Sequence, residues 1–172
     1  MREGMTMSQT KYLIIGSSHA GLSALDAIRM YDQEGPITIV TRENSLPYSP
    51  TVLPYVLSGQ ANPDRVFLRD LAYFKENGVK FINGSAVVGV KPAANSVTLD
   101  SGDEIQYEKL LLATGSAPKV PDIPGLKDAP WHVLRTLEDA LRIRANAQEG
   151  QAAIILGAGL IGLHAAQDVA TA

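Results

Sequence analysis

The sequence contains no cysteine among its 172 residues. Disulfide bonds, thiolate metal ligands, iron–sulfur ligation and thiol catalysis are therefore excluded for this chain. Basic residues do not cluster and the formal net charge is −3, so the composition does not indicate binding to nucleic acid or to an anionic membrane. The longest apolar run, AAIILGAGLIGL, is too short to cross a bilayer, and the polar N-terminus lacks the pattern of a signal peptide. We therefore expect a cytoplasmic protein without a membrane span.

Histidine is scarce as well, and His19, His132 and His164 lie far apart in the sequence. We therefore predict no metal site. With 45% hydrophobic and 19% charged residues, the composition suits a globular α/β protein. The length allows one well-formed hydrophobic core and part of a second.

Apolar runs and glycine turns predict a parallel sheet in the first part of the chain. Lys11–Ile15 has the pattern of a short buried strand, and apolar residues recur at helical spacing over positions 19–33. Ile37–Val40 is a second buried run, so these three segments predict a β–α–β unit with parallel strands. A helix is predicted over Asp64–Asn77 and a further strand over Lys80–Ile82.

A different pattern begins near Ala86, where short β segments alternate with turn signals. The predicted strands are Ala86–Val90, Ser96–Leu99 and Glu104–Tyr107. Together they predict an antiparallel β-meander inserted into the parallel fold. Leu110–Ala113 is again a buried strand, and it ends at Thr114 and Gly115.

The C-terminal part predicts a second strand–turn–helix unit. A connection with several prolines leads to a helix over Leu137–Ala147, for which Thr136 is a candidate N-cap. A strand over Ala153–Leu156, a glycine-rich turn and a helix over Leu163–Ala170 follow. Such a helix packs against a sheet whose next strand does not follow in the sequence, so we expect the chain to be a fragment of a longer protein.

The second glycine-rich turn has the pattern GxGxxG at Gly157, Gly159 and Gly162, after an apolar strand and before a helix. In dinucleotide-binding units the first glycine permits a tight turn and the second lets the backbone approach a pyrophosphate. The third lets helix and strand pack closely, and N–H groups at the positive end of the helix hold the phosphate. Glycine-rich turns also arise for packing alone, but this context favours nucleotide binding.

The first turn, Gly16–Gly21, departs from the pattern at the second glycine, where Ser18 stands. Serine is small, and its hydroxyl can donate a hydrogen bond to phosphate. His19 falls in the first helical turn, where it either contacts a pyrophosphate or is simply exposed. The pattern also requires an acidic residue about 20 positions on to bind a ribose hydroxyl. Glu43 suits this role, although a solvated Arg–Glu pair in a loop explains it as well.

The segment Leu46–Gly59, LPYSPTVLPYVLSG, contains three prolines among apolar residues and has neither helical nor strand periodicity. Proline lacks a backbone N–H and fixes φ, so this Pro-rich segment is predicted to lie outside regular structure. Either it covers a bound group or it packs as a loop against the protein core.

The order of these motifs resembles that of the FAD-dependent pyridine nucleotide–disulfide oxidoreductases, flavoproteins with two dinucleotide-binding domains. The motifs stand here as IIGSSHAGLSA, LLLATGSAPKVPDIPG and IILGAGLIGLHAA, and the resemblance covers essentially the whole chain from Lys11. It implies an FAD-binding Rossmann-like parallel sheet with the inserted meander. It also implies an N-terminal tail at 1–10, an FAD-binding domain at 11–148 and the start of an NAD(P)-binding domain at 149–172.

The resemblance implies roles for individual residues. The expected FAD-binding residues are Gly16, Ser18, His19, Ala20, Gly21, Glu43, Val87, Ala113, Thr114 and Gly115. NAD(P)H is expected to bind at Gly157, Gly159, Leu160, Ile161 and Gly162. Val87 would meet the adenine through its backbone, and no side chain is expected to act as a catalytic acid or base. Family members usually have Glu at the position of His164.

Members that reduce coenzyme A disulfide, or that oxidise NADH with oxygen, have a loop similar to the Pro-rich segment. That loop carries a redox-active cysteine where this chain has Thr51. The resemblance therefore implies that the segment covers the flavin, with contacts from Thr51, Leu53 and Pro54. Thr51 is expected near the reactive edge of the ring, and Tyr48, Pro50 and Pro54 are expected to exclude water from it. Without the cysteine, a thiol-dependent reductase or oxidase is disfavoured.

Two functions remain. The first is a flavoprotein subunit that passes electrons from NAD(P)H through FAD to a protein redox partner, such as a ferredoxin, a rubredoxin or the iron–sulfur subunit of a larger oxidoreductase. The alternative is a non-catalytic dinucleotide-binding module that assembles with other subunits. Either function is compatible with an oligomer.

Overall fold

The computed structural model describes residues 7–171. The chain forms two units, one comprising Met1–Pro47 and Phe67–Gly115, the other Tyr48–Val66 and Ser116–Ala172. Its helices are α1 His19–Tyr31, α2 Leu53–Leu57, α3 Leu71–Glu76, α4 Leu137–Asn146 and α5 Leu160–Thr171. Within residues 7–171, no helix is long and apolar enough to cross a membrane, and no three acidic or histidine side chains are grouped to hold a metal ion.

The first unit contains a six-stranded sheet with the strand order β3-β2-β1-β6-β5-β4. The strands are β1 Met7–Ile15, β2 Ile37–Val40, β3 Val79–Ile82, β4 Val87–Lys91, β5 Ser96–Leu99 and β6 Glu104–Leu112. The β3–β2, β2–β1 and β1–β6 pairs are parallel, whereas the β6–β5 and β5–β4 pairs are antiparallel. The predicted parallel sheet with an antiparallel meander is confirmed.

Strand β6 joins the meander to the parallel sheet. Its first residues pair with β5, and along its whole length it runs parallel to β1. The segments predicted as separate strands at Glu104–Tyr107 and Leu110–Ala113 are therefore one strand. Likewise β1 begins at Met7 and not at Lys11, because pairing with β6 extends it through residues that are mostly polar.

Each face of the sheet has its own hydrophobic cluster. Successive residues of β1 point to opposite faces, so Leu13 belongs to one cluster and Ile14 to the other. On the Leu13 side, meander residues such as Val97 and Ile105 cover the parallel strands. On the Ile14 side, α1 and α3 cover them, and Phe74 of α3 is buried.

The helix predicted over Asp64–Asn77 is shorter in the structure. A 3₁₀ turn spans Pro63–Arg65, and α3 begins only after its N-cap Asp70. Between them the Leu68 N–H donates to the Pro47 carbonyl at 2.7 Å. This long-range backbone bond holds the chain in a loop and overrides the local helical pattern.

The Pro-rich segment contains regular structure, so the prediction of an irregular loop is wrong. Pro50–Val52 forms a 3₁₀ turn, and α2 follows directly. Pro50 and Pro54 stand in the first turn of each, where the missing N–H costs little because the first helical N–H groups have no intrahelical acceptor. In the second unit α2 packs beside α4 and α5.

Ala153–Leu156 is not a strand, contrary to the prediction. A strand is stabilised by hydrogen bonds to a neighbour, and no segment within residues 7–171 pairs with this one. The turn at 157–162 forms nonetheless, and α5 begins at Leu160, earlier than predicted. Helix α4 lies where it was predicted, and Thr136 caps it in a capping box with Asp139.

Candidate functional site

The carboxyl ends of the parallel strands meet at one edge of the sheet in the first unit. Ile15 pairs with Val40 of β2 and with Leu112 of β6, so the residues that follow these strands lie side by side. The Gly16 N–H donates to the Val40 carbonyl, and the Ala113 N–H donates to the Ile15 carbonyl, each at 2.8 Å. This edge brings together several predicted site residues, at the usual place for a ligand of an open α/β sheet.

Backbone contacts in the first glycine-rich turn leave no room for a side chain. Gly16 has a φ of +109°, and a Cβ added there would lie 2.2 Å from the Ala113 carbonyl oxygen. A Cβ added at Gly21 would lie 2.0 Å from the Gly16 carbonyl oxygen. These two glycines therefore let β1, α1 and the segment after β6 approach one another closely.

The second glycine-rich turn repeats this geometry in the other unit. Gly157 has a φ of +111°, and a Cβ at Gly162 would lie 2.1 Å from the Gly157 carbonyl oxygen. The Leu163 N–H donates to the Gly159 carbonyl at 3.0 Å, and the equivalent bond of α1 has the same length. The second turn therefore has the same internal conformation as the first, although the segment before it is not paired in a sheet.

The middle position of the second turn faces open space. A Cβ at Gly159 would meet no described heavy atom within 4 Å, apart from its chain neighbours. Ser18 occupies this position in the first turn, and as the N-cap of α1 it makes no side-chain capping bond within the described structure. The first N–H groups of each helix lack intrahelical acceptors and lie at its positive end. These groups belong to the exposed residues His19 and Ala20 in α1 and Leu160 and Ile161 in α5.

The predicted ribose-binding residue, Glu43, lies where the chain leaves β2. The Thr41 N–H donates to the Ile82 carbonyl at 2.9 Å, and the Gly84 N–H donates to the Glu43 carbonyl at 3.1 Å. The half-buried Glu43 is therefore fixed close to the carboxyl edge that holds Gly16, after the neighbouring strand.

The meander brings Val87 to the same part of the unit. Although β4 is the last strand on the far side of the sheet, Val87 and Ile82 both pack against the cluster that contains Val40. Beyond β6, Thr114 and Gly115 are exposed, and Gly115 has a φ of +65°. All the residues predicted to bind FAD outside the Pro-rich segment thus belong to the first unit.

The predicted flavin-covering residues belong to the second unit. Thr51 is exposed, and its hydroxyl oxygen lies 2.7 Å from that of Ser49. Pro54 is half-buried, whereas Leu53 is buried and contributes to the packing of α2. Thr51 is therefore the member of this group that is most open to a ligand.

The largest pKa shift in the first unit is that of Asp32, the C-cap residue of α1. The Asp32 carboxylate accepts hydrogen bonds from Lys11 Nζ at 2.6 Å, the Gly35 N–H at 2.7 Å and the Tyr12 hydroxyl at 3.0 Å. These donors hold the pKa of the Asp32 carboxyl far below its usual range, and the Asp32 partner raises the pKa of Lys11. The cluster ties the connection between α1 and β2 to β1.

The geometry of the two turns fits a dinucleotide pyrophosphate. Each turn combines a left-handed glycine with a helix N-terminus and with open space or a small hydroxyl at the middle position. A family model described as pyridine nucleotide-disulphide oxidoreductase matches residues 10–172. The chain belongs to this family. The match includes both turns and confirms the resemblance found from the motifs.

Individual relatives match almost the whole chain. The epsilon subunit of an NADH-dependent phenylglyoxylate dehydrogenase from Aromatoleum evansii is 52% identical, over 96% of this chain and 39% of the relative. The ferredoxin–NAD(+) reductase component of an anthranilate 1,2-dioxygenase system from Burkholderia cepacia is 33% identical, over 93% of this chain and 40% of the relative. The crystal structure of NADH:rubredoxin oxidoreductase from Clostridium acetobutylicum has a TM-score of 0.85 and 30% identity, over 95% of this chain and 42% of that one. The chain therefore spans about two fifths of the length of these family members.

Two contacts of the Pro-rich segment were not predicted. The Leu137 N–H donates to the Tyr48 hydroxyl, and Arg144 Nη1 lies 3.5 Å from the Val56 carbonyl oxygen. Each pair is separated by more than eighty residues, 89 and 88 respectively, and belongs to no motif. The Tyr48 hydroxyl gives no distinct signal in the sequence, because the segment also contains the hydroxyls of Ser49, Thr51, Tyr55 and Ser58.

Proposed function

We propose that the whole protein, meaning this chain with any residues that adjoin it, is a flavoprotein subunit that passes electrons from NAD(P)H through FAD to a protein redox partner. The observation that carries the proposal is the repeated turn, with matching glycine φ angles of +109° and +111° and the same tight contact below the helix. Two such turns in one chain suit two dinucleotides. Membership of a family that binds FAD and NAD(P)H supports the same pair of ligands.

The first turn would hold the FAD pyrophosphate on N–H groups of α1. Gly16 and Gly21 allow the close approach, and the Ser18 hydroxyl adds a donor. Glu43 would accept a hydrogen bond from a ribose hydroxyl, and the Val87 backbone would meet the adenine. When bound, FAD supplies the acceptance of a hydride from a nicotinamide and the release of its electrons one at a time.

The second turn would hold NAD(P)H by the same means. The open space at Gly159 admits a pyrophosphate close to the backbone. The residues assigned to this site are Gly157, Gly159, Leu160, Ile161 and Gly162. The residues that would pass close to FAD where the chain leaves β6 are Ala113, Thr114 and Gly115.

The Pro-rich segment would cover the flavin through Thr51, Leu53 and Pro54, as its similarity to the cysteine-bearing loop of the family implies. A threonine hydroxyl offers neither the nucleophilic thiolate nor the disulfide that a cysteine would supply. Because the sequence has no cysteine, we propose that electrons leave through a separate protein.

The names of the relatives support a protein acceptor. They include a ferredoxin–NAD(+) reductase component, a rubredoxin oxidoreductase and a subunit of a larger dehydrogenase. For the whole protein we propose an acceptor of the same class, namely a ferredoxin, a rubredoxin or an iron–sulfur subunit of its own complex.

The test is to purify the whole protein and record its visible absorbance under argon before and after addition of NADH or NADPH. We expect the protein to show flavin absorbance. At least one of the two nucleotides should bleach it, and an added ferredoxin or rubredoxin should restore it. A colourless whole protein would favour the non-catalytic module. A bound flavin that neither nucleotide bleaches would contradict electron transfer from NAD(P)H.

A further inference from the structure

Tyr48 joins the Pro-rich segment to α4 within the second unit. Its side chain is 5% exposed, and its hydroxyl accepts the Leu137 N–H at 2.8 Å in a buried hydrogen bond. Leu137 is the first residue of α4, whose capping box engages Thr136 and Asp139. The Leu137 N–H has no acceptor within the helix, so Tyr48 supplies a bond that α4 cannot make for itself.

The connection from Tyr48 to Thr51 is short and stiff. Ser49 and Pro50 stand between them, and the proline ring fixes φ. The Ser49 hydroxyl accepts the Thr51 N–H at 3.4 Å and lies 2.7 Å from the Thr51 hydroxyl. A displacement of Tyr48 is therefore passed on to Thr51.

The C-terminal part of the Pro-rich segment also contacts α4. Val56 is fully buried, and Arg144 of α4 lies near its carbonyl, at the C-terminal end of α2. Leu137 and Arg144 are two helical turns apart, and so lie on one face of α4, with the fully buried Ala140 between them. Helix α4 thus supports the segment at both ends, and Tyr48 is the anchor closer to Thr51 in the sequence.

We infer that Tyr48 is a positioning residue, which fixes Thr51 against the flavin by accepting the Leu137 amide. This role rests on the proposed function, in which the Pro-rich segment covers the flavin. It acts through the backbone of residues 48–51.

The test compares Tyr48→Phe with Tyr55→Phe in the whole protein. Phenylalanine keeps the ring and removes the acceptor oxygen, and Tyr55 is a matched control because it lies in the same segment and is 53% exposed. Hydrogen exchange of the Leu137 amide reports on the anchor. The absorbance spectrum of bound FAD and the quenching of its fluorescence by iodide show how well the Pro-rich segment covers the flavin.

We expect Tyr48→Phe to accelerate exchange at Leu137 about tenfold, because a buried hydrogen bond is lost. We also expect it to shift the flavin absorbance and to increase iodide quenching while FAD remains bound. Tyr55→Phe is expected to match the wild type in all three measurements.

Unchanged exchange at Leu137 would show that the Tyr48 hydroxyl does not protect this amide, and would overturn the positioning role. Faster exchange with an unchanged flavin spectrum and unchanged quenching would overturn the positioning role and leave the proposed function standing. A wild-type whole protein that holds no FAD would contradict the proposed function, and the positioning role toward the flavin would fall with it.

Discussion

From the resemblance to the cysteine-bearing loop of other family members, we propose that Thr51 takes the place of their redox-active residue. In this chain its hydroxyl lies against that of Ser49, at 2.7 Å, on an exposed turn. A hydroxyl there can hydrogen-bond a neighbour but cannot enter thiol–disulfide exchange. We therefore expect a modest local role for Thr51 and propose that the cofactor carries the redox chemistry.

Replacement of Thr51 is expected to be tolerated in the whole protein. For Thr51→Val and Thr51→Ala, NADH-driven reduction of an artificial one-electron acceptor should stay within about tenfold of the wild type. One modest hydrogen bond corresponds to about 1.4 kcal/mol at most. Steady-state rates are compared at measured FAD content, with Ser49→Ala as the control for the neighbouring hydroxyl. Loss of several orders of magnitude with FAD bound would make Thr51 chemically essential.

Asp32 links the stability of the first unit to pH. Lys11, the Gly35 N–H and the Tyr12 hydroxyl hold the pKa of its carboxyl well below the usual range. The stabilisation is therefore present above about pH 4, the ordinary value in an unfolded chain, and is lost as the pH falls below it. We expect Asp32→Asn to lower the Tm at pH 7, with a difference from wild type that shrinks below about pH 4. Calorimetry across this range measures the difference, and a value independent of pH would contradict the argument.

At the scale of elements, one arginine of α1 ties three connections together. Arg29 donates hydrogen bonds to the carbonyls of Asn77 at 2.8 Å, Asp32 at 2.8 Å and Gly35 at 2.9 Å. These carbonyls lie at the end of α3, at the end of α1 and just before β2. Arg29 thus holds both helices on the face of the sheet that they cover.

Arg29→Met keeps an apolar stem but removes the donors of these three bonds. We expect the free energy of unfolding to fall by about 2–4 kcal/mol, because hydrogen bonds from a charged donor are lost at a half-buried site. Arg142→Met is the matched control, since Arg142 makes an exposed i,i+4 pair with Glu138 and should change stability by less than about 1 kcal/mol. Urea denaturation measures both variants. Equal effects would remove the special role of Arg29.

Elements with strong local signals were predictable from the sequence. β2 is four consecutive buried residues, three of them apolar, and α4 has both helical spacing and a threonine cap, so both lie where they were predicted. The short helices of the Pro-rich segment were missed because proline was taken to exclude helix, whereas the first turn accepts it. Ala153–Leu156 was predicted as a strand on its apolar residues alone, but a strand also requires a partner.

At the scale of the whole molecule, the order of the motifs indicated the family more specifically than any single motif did. Both glycine-rich turns were predicted because each requires small residues at fixed spacing, and the structure gives them the same geometry. The support of the Pro-rich segment by α4 was not predicted, because Tyr48 and Leu137 meet only through tertiary packing. Local rules therefore locate the turns but not what supports the segment proposed to cover the flavin.

FAD retention is expected to depend on the rest of the protein. Ile154, before the second turn, and Leu160, within it, are 88% and 86% exposed in this chain. Binding must offset a large loss of translational and rotational freedom, and an incomplete set of contacts does so poorly. We expect the 172-residue chain to lose FAD on gel filtration and the whole protein to keep it. Stoichiometric FAD eluting with the 172-residue chain would show that these residues suffice.

The most direct test of the central claim is an anaerobic NADH titration of the whole protein, as wild type and as Gly159→Val, followed by flavin absorbance. A side chain at Gly159 has open space in the fold but would occupy the position proposed for the nicotinamide dinucleotide's pyrophosphate. The account predicts that both proteins contain FAD, that NADH bleaches the wild type, and that the variant requires at least about tenfold more NADH. A variant that bleaches like the wild type would contradict the role of the second turn, and a wild type without flavin would contradict the account as a whole.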